Sequence, residues 1–407
     1  MPHKIERLKN GIRLIHKEIN SPISHFGVLL NTGTRDELDT TPGLAHFVEH
    51  TIFKGTKKRS ASQIIRRMEN VGGDLNASTS KEETYFHSSF LTADCERAIE
   101  LLADIFFNAT FPEKELEKEK DVVLEEIHYY HDTPVESIFD DFETLVYGNH
   151  PLGRNILGDK KSLKRLKRED ILNFIANHYT LDNVVLSYVG NVPLKRVKSY
   201  CERYFGNTML ANSRQQRFVF DGYQPQFSEK HKNTSQAHVV FGNLAYALDN
   251  DKRYPLLLLI NLLAGQGLNT RLNLAIREKR GWAYSVEASY TPFSDSGLVS
   301  FYIGCDGAMV ERCLEVAYKE IEKMKNNALG TMQLHYAIKQ FLGQLAISNE
   351  TKLNEMIAIG RSALFYDEVE TIEESVTLFE KITASQILEV ANEILNVPNF
   401  STLIFRK

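Results

Sequence analysis

The chain has 407 residues, 43% of them hydrophobic and 25% charged, with 48 Lys+Arg against 53 Asp+Glu for a net charge of −5. That is the balance of a globular protein with room for two or three domains, and it excludes disordered, collagen-like and disulfide-scaffold classes. The mild acidity argues against a nucleic-acid binder that works by phosphate neutralisation, and no apolar run approaches the roughly 20 residues of a membrane helix.

The first fifteen residues carry scattered charges and no apolar stretch of the kind a signal peptide needs, so the expected location is the cytoplasm. Ile12 to Glu18 and His25 to Asn31 alternate like half-buried strands. Gly43 to Gly55 reads as a helix, and Ser62 to Asn70 as another, stopped at Val71-Gly72-Gly73. Asp74 to Thr79 and Thr84 to Leu91 read as strands joined by a turn at Ser80–Glu83. Helices follow at Ala93–Asn108, Glu113–Tyr130, Val135–Val146 and Arg168–Tyr179, then a strand at Val184–Val189. Later in the chain, Trp282–Pro292 and Leu298–Cys305 flank the hairpin turn Ser294-Asp295-Ser296-Gly297. Sequential strands joined by tight turns imply antiparallel sheets and an α+β class. Cys95, Cys201, Cys305 and Cys313 form no CxxC pair and read as reduced, buried thiols.

A faint internal repeat runs through this pattern. The strand around His25 resembles that around His238, 213 residues later, and Cys95–Glu100 resembles Val310–Glu315, 215 residues later. Two matches at nearly one offset indicate two homologous halves. The seam falls in the polar stretch Gly206–Gln236, which contains one candidate strand, Arg217–Phe220. The expected division is residues 1–215 as a first domain, 216–235 as a linker and 236–407 as a second domain.

Chemistry concentrates in the first helix, at His46-Phe47-Val48-Glu49-His50. Residues i, i+3 and i+4 share one helix face, so two imidazoles converge there with Glu49 beside them. This is the H-x-x-E-H arrangement. The neighbours Leu44, Ala45, Phe47, Val48, Ile52 and Phe53 are apolar, and a buried helix carries three polar groups on one face only if something satisfies them. Zinc fits, with imidazole nitrogens at ~2.0–2.1 Å and three protein ligands plus a water in a catalytic site. A third ligand is sought on the helix Glu113–Tyr130. There Glu119 and Glu126, seven residues apart, share a face, while Glu125 points to solvent. Glu126 is the chosen ligand and Glu119 a carboxylate behind it that orients a ligand histidine or shares charge. His128 and His131 are rivals turned away from that face. Downstream, Arg277 and Tyr284 straddle the junction where a helix ends at Gly281 and a strand begins, which by itself is an ordinary basic helix end.

The run Pro42-Gly43-Leu44-Ala45-His46-Phe47-Val48-Glu49-His50, followed by Phe53-Lys54-Gly55-Thr56, resembles the inverted-motif zinc peptidases typified by pitrilysin, insulin-degrading enzyme and the mitochondrial processing peptidase. The resemblance extends over nearly the whole chain. Val123-Leu124-Glu125-Glu126-Ile127 looks like the family's third-ligand helix, and Glu119 falls on its additional active-site glutamate. Asn76, Ala77, Ser78 and Thr79, within Gly72–Thr79, look like its substrate-binding edge strand. Arg277 and Tyr284 fall on the Arg and Tyr that hold the substrate and polarise the scissile carbonyl. Thr51 and Trp282 depart from the pattern, where an apolar residue and a leucine are usual.

The resemblance implies a short two-domain bacterial-type member with one Zn2+ per chain, because Leu256–Ile260 stands near where the repeat would place the histidines. It implies a homodimer that closes like a clamshell on extended peptides, with Glu49 as general base. The alternatives are a non-catalytic chamber or scaffold subunit, and a processing peptidase with one dedicated precursor.

Overall fold

In the computed structural model, which describes residues 3–212 and 216–407, alternating apolar strands assemble into two sheets, one in each of two units. The first unit holds β1 (Lys4–Arg7), β2 (Arg13–Glu18), β3 (Ile23–Leu30), β4 (Asn76–Thr79), β5 (Thr84–Leu91) and β6 (Val184–Gly190), in the order β1-β2-β6-β3-β5-β4. Only β2 and β6 run parallel; the other neighbours are antiparallel. Phe26 and Val28 of β3, Phe86 and Phe90 of β5 and Leu186 of β6 join one core. Packed with them are α1 (Leu44–Thr51), α2 (Ala61–Glu69), α3 (Cys95–Asn108) and the start of α4 (Glu113–Asp132). On the opposite sheet face, Ile15, Leu29, Val185 and Val189 meet Met356, Ile359 and Ala363 of the helix Lys352–Tyr366.

The second unit contains α5 (Pro134–Tyr147), β7 (Phe227–His231), β8 (Ala237–Ala245), β9 (Ala283–Pro292), β10 (Gly297–Cys305) and β11 (Ser401–Arg406). Its sheet order, β7-β11-β8-β10-β9, repeats that of β2-β6-β3-β5-β4, with the same single parallel pair at the same place. His25 in β3 and His238 in β8 occupy equivalent strands, and Cys95 and Val310 each open the helix that follows the hairpin. One face of this sheet packs Val239, Phe241 and Phe301 on helices that include Arg253–Ala264 and Val310–Asn326. The other packs Val240, Tyr302 and Phe405 on Ile138, Phe142 and Val146 of α5.

The units are therefore not the two halves of the sequence. The first is built from residues 1–127, 155–217 and 348–371, and the second from 128–154, 218–347 and 372–407. Each sheet is apolar on both faces and needs two covers. The second cover of each unit is a helix from the other half of the chain: α5 in the second unit, Lys352–Tyr366 in the first. Periodicity marks both segments as amphipathic but carries no information about which sheet each will meet.

The stretch expected to be a linker, 216–235, is in part structural. Phe227–His231 pairs in parallel with β11 as the sheet edge, whereas Arg217–Phe220, expected as a strand, is irregular. Arg217 instead clamps Asp36 through two 2.8 Å bonds. The boundary expected at residue 215 lies outside the described residues. The first helix is also shorter than expected, ending at Thr51 rather than Gly55. Gly55 takes φ +148 and bridges Ser60, which turns the chain out of the helical path.

Candidate metal centre

The site begins with the entry to α1. Gly43 sits at φ +86, and a Cβ there would lie 2.6 Å from the Leu157 carbonyl oxygen, so the position demands glycine on both counts. The buried Glu37 carboxylate accepts from Gly43 N at 2.8 Å and Ala45 N at 2.7 Å, placing a negative charge on the free amides at the helix start. Leu44, Ala45, Phe47 and Val48 sink into the core. That orientation leaves His46, Glu49 and His50 together on the remaining face. The two imidazoles stand 4.6 Å apart between centroids, at 60°. Thr51, the polar departure at the end of the motif, is buried and donates its hydroxyl to the Phe47 carbonyl at 2.6 Å.

Leu116 and Val123 anchor α4 in the same core and so present Glu119 and Glu126 to α1. Glu126 Oε2 lies 3.7 Å from His46 Nε2 and 3.4 Å from His50 Nε2. The ligand atoms of His46, His50 and Glu126 all fall within 4.8 Å of one another. Ligands at ~2.0–2.1 Å around a tetrahedral zinc stand roughly 3.3 Å apart, so the Glu126–His50 edge already has the required length, and the widest edge would close by at most about 1.5 Å to hold the ion. His46 Nδ1 and Glu126 Oε2 are buried without a hydrogen-bond partner among the described residues. Buried polar atoms are rarely left so, and here one of them faces two imidazoles. The donor set, two nitrogens and a carboxylate oxygen, is one that zinc accepts.

Glu119 stands behind His50. Its Oε1 lies 3.1 Å from His50 Nδ1, and its Oε2 lies 2.6 Å from Lys54 Nζ. A proton held on Nδ1 by that carboxylate leaves Nε2 directed at Glu126. The electrostatics follow from these neighbours. Burial and the adjacent His50 push His46 down to about 4. Burial also works against a charged His50, but the Glu119 and Glu126 carboxylates outweigh it and raise His50 to about 9. His50 holds Glu126 below the usual carboxylate range. Glu119 is also depressed, because His50 and Lys54 overcome its burial. Glu49 is the exception: burial lifts its carboxyl, against the opposing pull of the Thr79 hydroxyl.

The structure thus brings His46, His50, Glu126, Glu119 and Glu49 together, with Thr79 of β4 beside Glu49. Asn76, Ala77, Ser78 and Thr79 form β4, which among the described residues pairs only with β5 and is the edge of its sheet. His128 and His131, the rival ligands, are exposed on α4, with His131 Nδ1 3.2 Å from Asp132. Glu125 is exposed. Arg277 and Tyr284 belong to the second unit, where the guanidinium lies over the phenol ring at 5.7 Å and Tyr284 is 73% exposed. Arg277 sits in a wide π-helical turn, Asn273–Glu278, a form often found at functional positions. Gly281 ends that segment at φ +64.

Two members of the site escaped the sequence reading. Lys54 follows His50 by the same four residues that separate His50 from His46, a spacing that could have flagged it. Glu37 had no comparable signal, since its partners are backbone amides across a loop.

Residues 13–160 match the family model described as insulinase, peptidase family M16, and residues 165–341 match the M16 inactive domain. An uncharacterized zinc protease of Bacillus subtilis, YmxG, is 31% identical over 389 residues, covering 95% of this chain and 94% of its own. An uncharacterized zinc protease of Rickettsia bellii is 30% identical over 403 residues, covering 98% and 97%. Among solved structures, a protease from Helicobacter pylori superposes with a TM-score of 0.93 at 20% identity over 100% of both chains. A peptidase M16 inactive domain from Pseudomonas fluorescens gives 0.92 at 19%, over 100% of this chain and 98% of that one. At those identities the structural likeness speaks for the fold.

Proposed function

The chain belongs to the M16 peptidase family, and on that premise we propose that it is a zinc-dependent endopeptidase acting on extended or unfolded peptides. The observation that carries the proposal is the convergence of His46, His50 and Glu126, with Glu119 and Lys54 wired behind His50. The relatives described as zinc proteases support zinc as the ion.

His46 Nε2, His50 Nε2 and a Glu126 carboxylate oxygen would hold the ion, one per chain. Bound zinc supplies Lewis acidity toward a peptide carbonyl and lowers the pKa of water toward neutrality. Glu49 is the group that moves the proton. Its carboxylate oxygen takes a proton from the attacking water and returns it to the leaving amine nitrogen as the C–N bond breaks. Burial raises the Glu49 carboxyl, and a base tuned upward toward the working pH shares its proton more evenly with both partners.

The edge strand Asn76–Thr79 offers the substrate an unpaired row of amides and carbonyls. A peptide added there gains affinity from its backbone and so needs to be extended rather than to match a particular sequence. Side chains alternate across β4, so Asn76 and Ser78 would meet one set of substrate residues and Ala77 and Thr79 the other. For Arg277 and Tyr284 the proposal rests on the family resemblance: Tyr284 donates from its hydroxyl to the scissile carbonyl oxygen, and Arg277 holds the peptide. The resemblance likewise supports a closed chamber and a homodimer. No helix among the described residues is long and apolar enough to cross a membrane.

The test is mass spectrometry of a mixed peptide library incubated with zinc-loaded protein, beside Glu49→Gln. Cleavage by the first and a loss of about 10²–10⁴-fold in the second, with zinc retained, is the expected result. No cleavage by either favours the scaffold reading or an enzyme reserved for one precursor. Equal cleavage by both removes Glu49 from the chemistry.

A further inference from the structure

Directly behind the Glu119–Lys54 pair, Lys54 forms part of the wall of a second cavity, about 630 Å³ in volume. Lys57, Lys58, Arg59 and Lys114 also line it, with Glu115 as the carboxylate among them. Five cationic side chains thus face a single carboxylate around this concavity, whereas the five that line the cavity at Lys120, Lys164, Arg165, Lys167 and Arg168 are accompanied by Glu113, Glu117, Glu169 and Asp170. Some lysines on this surface are matched with acids one turn away, as in Lys118–Glu115, Lys120–Glu117 and Lys323–Glu320, and others, Lys160 and Lys161 among them, have no such partner among the described residues. Lys57, Lys58 and Lys114 have no carboxylate within ion-pair distance among the described residues, and all three converge on the same concavity. Glu115 is already engaged by Lys118 at 2.7 Å. Its carboxyl is held low by Lys118, with Lys114 and Lys54 adding to the effect.

The loop that presents these lysines is braced. Thr56 N donates to Arg59 O at 2.8 Å, Lys57 N to Asn108 O at 3.0 Å and Thr110 N to Gly55 O at 2.9 Å. The Thr56 hydroxyl donates to Asp104 at 2.8 Å. The Arg59 guanidinium is consumed by Asp104 at 2.5 Å and Glu100 at 2.7 Å, so it buttresses the loop and is not available to a ligand. Lys57 and Lys58 are thus held at the cavity with the backbone already ordered, which lowers the entropic cost of closing them on a ligand. Unpaired like charges repel one another, and a multiply charged anion relieves that repulsion.

We infer that this cavity binds a multiply charged phosphate anion, held by Lys57, Lys58 and Lys114, and that Lys54 links it to His50. The free cations are lysines, which engage phosphate as point charges without the fork geometry that selects carboxylates. No aromatic side chain lines the cavity, so the phosphates are read and a base is not. The link is the chain of contacts from Lys54 Nζ to Glu119 Oε2 and from Glu119 Oε1 to His50 Nδ1. An anion that draws the Lys54 ammonium toward the cavity loosens its hold on Glu119, and the His50 ring sits at the far end. The binding claim stands apart from the proposed peptidase activity.

The experiment is calorimetric titration of the full-length protein with inorganic tripolyphosphate at fixed ionic strength, on zinc-loaded and metal-free samples in parallel. The two samples separate the cavity from chelation at the zinc centre. One saturable site in both is expected. Lys57→Glu with Lys58→Glu should weaken it by at least about tenfold, since like charge is placed against the ligand. Reversal of Lys160 and Lys161, which change the net charge equally but do not line the cavity, should leave it intact. Binding confined to the zinc-loaded sample, or equal loss in both double variants, would overturn the site. ATP binding as well as tripolyphosphate is expected; a strong preference for ATP would overturn the phosphate-only reading. On metal-free protein, the His50 ring nitrogens should shift with the same saturation curve, and a silent His50 would break the proposed link through Lys54.

Discussion

Glu119 offers the sharpest test of how the candidate metal centre is held. Replacing it with glutamine keeps an oxygen that can accept from His50 Nδ1 at the same position, 3.1 Å away, but removes the negative charge. A hydrogen bond to a charged partner contributes about 1.5–3 kcal/mol and a neutral one about 0.5–1.5, so the change forfeits about 1–1.5 kcal/mol of support for the ligand histidine. That corresponds to about a tenfold rise in the zinc Kd, the lower end of the 10–100-fold typical of outer partners of metal ligands. Lys54 makes the argument directional. It lies 2.6 Å from the other Glu119 oxygen, and removing Glu119's charge leaves its ammonium uncompensated beside a cation site. Lys54→Met does the reverse: Glu119 keeps its full charge for His50, so zinc should bind as tightly as in the parent or more tightly. Competition against a chromophoric chelator at constant pH reads both constants. The reasoning fails if Glu119→Gln leaves the zinc Kd unchanged. It fails equally if both variants weaken zinc to the same extent, because then the pair merely packs.

Three further outcomes follow from the structure. Gly43→Ala forces a Cβ onto a φ of +86 and to within 2.6 Å of Leu157 O; strain of about 1–2 kcal/mol and overlap of about 1–3 should together lower the urea midpoint clearly, and a parental midpoint would show that the α1 entry can relax. Met356→Ala empties a fully buried position against β3 and β6 at an expected cost of about 2–5 kcal/mol. Hydrogen exchange should then speed up in β3 and β6 and not in β8 and β10, whereas a loss spread evenly would contradict the assignment of Lys352–Tyr366 to the first unit. Burial holds His16, His87 and His178 below 6.5 in the folded chain. Their neutral forms are the ones the fold prefers, so their contribution is complete above pH 6.5 and is lost as pH falls through the folded values; denaturant midpoints of the metal-free protein should drop from pH 7 to pH 5, and a flat profile would argue against neutral burial.

What the sequence made legible, and what it hid, divides along physical lines. The gathering of His46, Glu49 and His50 follows from helix geometry alone, because their neighbours are apolar and a short helix has only one other face to offer. Glu119 and Glu126 were readable for the same reason, through a seven-residue spacing on one helix. The duplicated sheet was visible as a repeat of strand and helix at one offset. Hidden from that reading were the features made by elements distant in the chain. These include Glu37 on the amides of α1, the Lys54–Glu119 pair, β7 inside the expected linker, and the exchange of α5 and Lys352–Tyr366 between units. An amphipathic helix advertises that it needs a partner without naming one, and a capping carboxylate has no periodicity to betray it.

The duplication also separates fold from chemistry. Both units share one strand order, and each sets a helix of matching position on its sheet, α1 in the first and Arg253–Ala264 in the second. The latter buries Leu256, Leu258, Leu259 and Ile260, and so contributes to the core with nearly its whole circumference. α1 gives up that burial along one face for two imidazoles and a carboxylate, groups costly to desolvate unless something binds them. The framework that positions a site was thus present in both halves, and three ionisable side chains on eight residues of helix distinguish the half that can hold a metal.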